Sequence, residues 1–68
     1  MTQNESEVLA VIREYWGKKG FSPSQMEISK TTGRAIPTVR RALKRLETYG
    51  YIRTHPNWAR SIELVEAA

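Results

Sequence analysis

The chain has 68 residues with a net charge of +4 and 40% hydrophobic residues, enough for one small domain with a modest core. It has no cysteine, which excludes disulfides, cysteine-based zinc sites and thiol nucleophiles. No apolar run approaches the ~20 residues of a membrane-spanning helix, and no signal peptide is visible, so we expect a cytoplasmic protein.

The positive charge is concentrated in the middle of the chain. Residues 30–60 contain eight Lys and Arg and one Glu, a net charge of +7, whereas residues 1–29 and 61–68 carry net charges of −1 and −2. A basic block of this kind is typical of nucleic-acid-binding proteins. The alternative interpretation is a solvated basic helix face that has no partner.

The first predicted helix spans about residues 5–18. Asn4 is expected to cap it, with Glu7 reaching back to the cap. Its core stripe consists of Val8, Leu9, Ile12 and Trp16. Val11 and Tyr15 widen this stripe on one flank; either Tyr15 covers the edge of the core, or the two residues form a self-association patch. Phe21, which follows the helix, is expected to be buried.

The second predicted helix spans about residues 25–32. It begins at a capping box formed by Ser24 and Glu27, and it should bury Met26, Ile28 or both. Gly33 ends it and opens a short turn, so the third helix must leave at a steep angle. Two helices joined by a short turn containing glycine are typical of a helix-turn-helix.

Residues 36–49 carry the strongest helical pattern of the chain. The apolar residues of one face are Ile36, Val39, Leu43 and Leu46. The basic residues of the opposite side are Arg40, Arg41, Lys44 and Arg45. Pro37 suits the first turn and Gly50 the C-terminal cap. One face of this helix is therefore expected to pack on the core, and the other to meet something negatively charged.

A β-hairpin is predicted to follow, over about residues 51–65. Its strands are residues 51–54 and 61–65, with Ile62 and Leu64 facing inward, and its loop is residues 55–60. His55 has no second ligand, nucleophile or base arranged with it, so we expect no metal site, cofactor or catalytic role. The predicted fold is mostly α with a small β-hairpin (α+β), in one domain over residues 1–68 with its core at about 5–65.

Three motifs resemble a known family. The pattern Thr38-Val39-x-Arg41-x-Leu43-x-x-Leu46-Glu47-x-x-Gly50-x-Ile52 resembles the recognition helix and first strand of winged helix-turn-helix repressors. The run Phe21-Ser22-Pro23-Ser24-x-x-Glu27-Ile28 is similar to the opening of helix 2 in the N-terminal DNA-binding domain of the LexA repressor family. Ala59-Arg60-Ser61-Ile62-x-Leu64 resembles the end of that family's wing. The resemblance covers about residues 6–65.

The resemblance implies a winged helix-turn-helix domain that binds double-stranded DNA sequence-specifically. Such a protein is a bacterial or phage transcriptional regulator, a repressor that reads the major groove with helix 3. Arg41 and then Arg40 are the expected base readers, although any of the arginines could contact only phosphate. Trp58 either packs back on the domain or contacts DNA or a protein. The predicted DNA-binding residues are Ser24, Gln25, Arg34, Pro37, Thr38, Arg40, Arg41, Lys44, Arg45, Trp58 and Arg60.

Two features depart from the family. Its full-length members carry a second domain with a serine–lysine self-cleavage site and the dimer interface. This chain ends where that domain would begin, so we expect neither self-cleavage nor another enzymatic activity. Ala35 stands where many relatives have a serine cap, and the lost cap costs roughly 0.5–2 kcal/mol of stability.

Two alternative functions stay open at this stage. The fold could serve as a protein-interaction module that uses Trp58, Val11 and Tyr15 as its contact surface. It could also be an accessory phage or plasmid DNA-binding factor in replication or recombination. A regulator would be associated with the nucleoid, and a homodimer on DNA could form through helix 1, with Val11 and Tyr15, or through the wing.

Overall fold

The computed structural model describes residues 1–55 and 61–65. Its elements are the helices α1 (Gln3–Lys18), α2 (Gln25–Thr32) and α3 (Ile36–Thr48) and the strands β1 (Ile52–Arg53) and β2 (Glu63–Leu64). The predicted order of elements, and a mostly helical fold with a small hairpin, are confirmed. The predicted contacts of Trp58 and Arg60 lie outside the described residues. Within the described ranges, none of the helices combines the length and apolar character that a membrane span requires.

Helix α1 begins two residues earlier than predicted. The Thr2 hydroxyl accepts the N–H of Glu5 at 3.2 Å, and the Glu5 carboxylate accepts the N–H of Thr2 at 3.1 Å. This reciprocal pair is a capping box, so the prediction of Asn4 as the cap with Glu7 as its partner is wrong. The sequence Thr-x-x-Glu satisfies the same rule as Asn-x-x-Glu, and the glutamate of the threonine pair is also buried.

Helix α2 has the predicted boundaries. The Ser24 hydroxyl accepts the N–H of Glu27 at 3.1 Å, and the Glu27 carboxylate accepts the N–H of Ser24 at 2.9 Å. Gly33 closes the helix with a φ of 72°, in the left-handed region, where a side chain would be strained. This turn directs the chain into α3.

Helix α3 lacks a side-chain cap. Ala35 holds the extended backbone of a cap residue but makes no side-chain hydrogen bond, and Pro37 lies in the first turn. The helix ends at Thr48, one residue before the predicted end. Gly50 has a φ of 89°, so it provides the left-handed turn that leads from α3 into β1.

The absence of a side-chain cap at Ala35 leads to a prediction about the stability of the domain. Replacing Ala35 with serine should raise the free energy of unfolding by about 1 kcal/mol, because the new hydroxyl can accept an N–H of the first turn without moving the backbone. The matched control is Ala10→Ser, on the exposed side of α1, where serine replaces the best helix former and gains no cap. Urea unfolding of both variants checks this; equal effects would contradict a capping role.

The three helices pack around one core. The buried hydrophobic residues of the described part are Val8, Leu9, Val11, Ile12, Ile28, Val39, Ala42, Leu43, Leu46, Ile52 and Ile62. Ile28 is the core residue of α2, whereas Met26 is 58% exposed. Trp16, from the predicted α1 stripe, is only partly buried and packs on the edge of the core.

The prediction that Phe21 is buried is wrong. Phe21 is 42% exposed, and the neighbouring Ser22 and Pro23 are buried instead. Gly20 turns the chain with a φ of 75°, which directs the Phe21 ring toward Tyr15 in an edge contact at 6.4 Å between ring centroids. An aromatic residue at a turn can thus cover a neighbouring ring rather than enter the core.

The backbone of Ile62, the residue before β2, anchors the hairpin to the helices. Strands β1 and β2 have two residues each, shorter than the predicted strands over 51–54 and 61–65. The indole N–H of Trp16 donates to the Ile62 carbonyl at 3.0 Å. The buried Ser22 hydroxyl accepts the Ile62 N–H at 3.0 Å and donates to the Pro23 carbonyl at 2.8 Å. Strands β1 and β2 pair antiparallel in the register Ile52↔Leu64. Ile62 is buried as predicted, and Leu64 is partly buried against the core.

Candidate nucleic-acid interface

Helix α3 has one apolar face and one basic face. Its buried residues are Val39, Ala42, Leu43 and Leu46. Its exposed basic residues are Arg40, Arg41, Lys44 and Arg45. The predicted division of this helix is therefore confirmed, except that Ile36 of the predicted apolar face is only half-buried, and the basic side is presented to solvent. Pro37 is exposed and Thr38 half-buried in the first turn, so both predicted residues lie at the start of the same surface.

Arg41 and Lys44 are cations of α3 for which the described part of the chain provides no carboxylate and no side-chain hydrogen bond, whereas Arg40 meets the neutral amide of Gln25. Within residues 1–55 and 61–65, no carboxylate lies within ion-pair distance of either side chain. Arg41 lies beside Thr38 and Arg45 along a cleft that faces the start of α1. Uncompensated positive charges on one side of a helix attract an anionic partner from solution.

Arg45 and Arg34 each meet a glutamate of α1. The Arg45 Nε atom lies 3.8 Å from a carboxylate oxygen of Glu5, whose side chain is 4% exposed against 59% for Arg45. Arg34, in the turn before α3, reaches an oxygen of Glu7 at 3.1 Å through Nη2 and 3.3 Å through Nε. These pairs tie α3 and the turn to α1, and they offset part of each arginine's charge.

A cleft separates the start of α1 from the first turns of α3. It has a volume of about 200 Å³ and is lined by Thr2, Asn4, Glu5, Thr38, Arg41, Ala42 and Arg45. Sequence reasoning assigned Asn4 only to a helix cap and gave Thr2 no role. Thr2 and Asn4 are far from α3 in the sequence, and no periodic pattern of residues relates them to that helix. Their position beside Arg41 is therefore known only from the fold.

A second groove lies between α2, α3 and the hairpin. It has a volume of about 400 Å³ and is lined by Gln25, Arg40, Leu43, Lys44, Glu47 and Thr54. At one end, the Nε of Arg40 donates to the side-chain oxygen of Gln25 at 3.1 Å. Ser24 caps α2 at the same end. The structure thus brings together four of the predicted site residues, Ser24, Gln25, Arg40 and Lys44, on one side of the domain.

Glu47 attaches the hairpin to α3 at the other end of this groove. One carboxylate oxygen accepts the N–H of Thr54 and the other accepts its hydroxyl, both at 3.1 Å. Sequence reasoning included Glu47 in a family motif but assigned it no role. Its two contacts fix the direction in which the hairpin leaves α3, so Glu47 positions the hairpin relative to the basic face.

His55 is part of a polar cluster at the base of the hairpin. Its Nε2 lies 3.2 Å from an oxygen of Glu63, and Arg53 lies 3.9 Å from the other oxygen. The Ser61 hydroxyl donates to the His55 carbonyl at 2.8 Å and accepts its N–H at 3.4 Å. These contacts hold the two strands together where the hairpin loop begins.

Of the two residues in the predicted self-association patch on α1, Val11 is not available at the surface. Val11 is 7% exposed and belongs to the core, so the prediction that it offers a contact surface is wrong. Tyr15 packs against the core edge, and the ammonium of Lys19 lies 4.9 Å from its ring centroid. Of the two interpretations of Tyr15, the structure supports the one in which it covers the core.

Comparison with known proteins identifies relatives over nearly the whole chain. The family model described as the LexA DNA binding domain matches residues 1–61. The LexA repressor of Caldicellulosiruptor saccharolyticus is 39% identical over 67 residues, which cover 97% of this chain and 33% of that protein. The LexA repressors of Shouchella clausii and Staphylococcus aureus strain Mu3 are each 41% identical over 66 residues, covering 96% of this chain and 32% of theirs. The chain thus spans about a third of the length of these relatives.

Proposed function

The chain belongs to the LexA DNA-binding domain family, and we propose that it binds double-stranded DNA sequence-specifically and represses transcription by occupying a promoter. The relatives that it resembles are repressors by name. A cytoplasmic, nucleoid-associated location goes with this function, and no enzymatic activity is proposed for this domain.

One observation carries this proposal: the exposed side of α3 is basic while its opposite side is buried in the core. A helix fits into the major groove, where arginine can pair with the N7 and O6 atoms of guanine. Arg41 is the first choice for a base reader and Arg40 the second. Pro37 and Thr38, in the first turn, would approach the groove with them, and Lys44 would meet a phosphate.

Phosphate contacts are proposed for the flanks of α3. The N-terminus of α2, with Ser24 and Gln25, offers backbone N–H groups to a phosphate. Arg34 and Arg45 are placed for similar contacts, but each would share its guanidinium with the glutamate that it already meets. Trp58 and Arg60 would extend the contact to the neighbouring backbone or minor groove as parts of the wing.

Two copies on a palindromic site form a further part of the proposal, since one such domain reads few base pairs. A dimer contact through α1 would have to use Tyr15, because Val11 is buried. The wing is the alternative contact. A protein-interaction role for α3 is disfavoured because its exposed side is basic rather than apolar.

The test is a titration of labelled mixed-sequence duplex with the protein, followed by fluorescence anisotropy between 50 and 200 mM salt. About four to seven phosphate contacts should give a log–log slope between about −3.6 and −6.3, a loss of about a hundredfold or more over this range. Affinity that does not change with salt would contradict the proposal. Selection of a site from random duplex, cloned upstream of a reporter gene, then separates a repressor from an accessory DNA-binding factor.

A further inference from the structure

We infer that Gln25 is a positioning residue for Arg40, and that it fixes the arginine for end-on pairing with a guanine. The first residue of α2 would then set base specificity through another side chain, without contacting a base itself. This inference rests on the proposed function, because it specifies how one part of the basic face reads DNA.

One hydrogen bond between exposed side chains orients Gln25 and Arg40 relative to each other. Gln25 is the first residue of α2, immediately after the Ser24 cap, and its side-chain oxygen accepts the Nε–H of Arg40 at 3.1 Å. Arginine can only donate hydrogen bonds, so the oxygen of the Gln25 amide must face Arg40 and its nitrogen must point away. Both residues border the groove between α2, α3 and the hairpin.

Engaging Nε leaves the two terminal nitrogens of Arg40 as the remaining pair of donors. These nitrogens match the N7 and O6 acceptors on the major-groove edge of guanine, in the end-on form of a bidentate pair. The long side chain of an arginine without such a partner is flexible and can turn toward a phosphate. A phosphate contact carries no sequence information. The Gln25 contact therefore favours base reading over a phosphate contact.

Arg40 differs from Arg34 and Arg45 in the charge of the side chain that it contacts. Arg34 and Arg45 are held by the carboxylates of Glu7 and Glu5, which offset part of their charge. Gln25 is neutral, so it orients Arg40 while leaving the full positive charge for DNA. Lys44 is one turn further along α3 and carries a like charge, so it does not offset the charge of Arg40 either.

The experiment selects binding sites from a random-sequence duplex library with the wild-type protein and with Gln25→Ala, Arg40→Ala and Met26→Ala. Met26 is the next residue of α2 and is exposed, so it is the matched control. The affinity for the wild-type site is then compared with that for duplexes in which each guanine is replaced in turn. This gives a base preference and a salt slope for every variant.

We expect Arg40→Ala to abolish the preference for one guanine, and Gln25→Ala to reduce the preference at the same position by about 3- to 10-fold, part of the value of a bidentate pair. The salt slope of Gln25→Ala should be no shallower than that of the wild type, because no charge is removed, and it becomes steeper if the released Arg40 turns to a phosphate. The double variant should lose no more preference than Arg40→Ala alone. Met26→Ala should keep the guanine preference and the salt slope of the wild type.

Gln25→Glu provides a conservative variant with a distinct signature. Its carboxylate retains the acceptor for Arg40, so the guanine preference should persist, whereas the added negative charge should lower the affinity for every duplex. A residue that served only to start α2 would not combine this result with a reduced guanine preference in Gln25→Ala, because only the contact with Arg40 requires an acceptor at this position. Loss of the guanine preference in Gln25→Glu would therefore overturn the inference.

Two other results would also overturn it. An equal loss of affinity on all duplexes with Gln25→Ala would assign Gln25 to a phosphate contact, and a preference lost at a different base pair would make it a base reader in its own right. Either result would leave the proposed function standing. Absence of salt-dependent binding by the wild-type protein would instead overturn the proposed function and this inference together.

Discussion

Replacing Arg41 and Lys44 together with alanine is expected to weaken duplex binding by about 30- to 100-fold at 0.1 M salt, since each phosphate contact contributes nearly tenfold at this salt concentration. Both cations lack a carboxylate partner among the described residues, so neither loss is compensated within the described part of the domain. Alanine preserves the helix, and both side chains are exposed, so the fold should persist.

The salt dependence of the same variant distinguishes the roles of the two residues. The log–log slope should become shallower by about 1.8 if both contact phosphates, and by about 0.9 if Arg41 reads a base edge instead. Anisotropy over a salt series measures this difference. The slope thus tests the assignment of Arg41 as the first base reader independently of the total loss in affinity.

A variant with the same change in charge serves as the control. Lys18 and Lys19 lie at the opposite end of α1 from Glu5, about 20 Å along the helix axis at 1.5 Å per residue. This distance is about twice the screening length at 0.1 M salt, so alanine at both positions should change affinity little. An equal loss in both variants would mean that binding depends on net charge alone and would contradict a localised interface.

Leu46→Ala is expected to lower the free energy of unfolding by about 2–5 kcal/mol. Leu46 is fully buried on the core side of α3, and truncation would leave a cavity in the core. A domain of this size has a total stability of roughly 3–10 kcal/mol, so the variant should be partly unfolded at 37 °C. Urea unfolding followed by circular dichroism measures the loss.

The control for this prediction is Leu46→Met, which conserves most of the volume and should cost less than about 1.5 kcal/mol. Leu46 faces away from the basic side of α3, so the folded fraction of Leu46→Ala should bind duplex with wild-type affinity at low temperature. A loss below about 1 kcal/mol would contradict the central position of this side chain. Reduced affinity of fully folded protein would show that packing beneath α3 controls how its basic face is presented.

Local patterns predicted most of the fold. The boundaries of α2 follow from its capping box and Gly33, and the two faces of α3 follow from apolar spacing, because both signals involve residues within a few turns of each other. The start of α1 and the exposure of Phe21 could not be predicted in the same way. Thr2 and Asn4 satisfy the capping rule equally well, and the rule does not choose between them. The side to which Phe21 turns depends on the conformation of Gly20 and on the contact with Tyr15.

Some features of the candidate interface could likewise be predicted from local patterns, and others could not. Arg40, Arg41 and Lys44 could be chosen from charge and helical position, and the structure exposes all three. The pairing of Arg40 with Gln25, and of Glu47 with Thr54, depends on how α2 and the hairpin dock against α3. Sequence patterns identify which side chains are charged and exposed, but orientation by a partner from another element requires the tertiary structure.

The anchoring of Ile62 has a consequence for the order in which the domain forms during synthesis. Its backbone meets side chains that were made 46 and 40 residues earlier, Trp16 and Ser22. At about 5–20 residues per second, translation separates Ser22 from Ile62 by roughly 2–8 seconds. In the last part of that interval, after Thr48 has been added, the basic helix has been synthesised but the core still lacks Ile62. A helical intermediate formed at this point would expose one end of its core to chaperones and proteases.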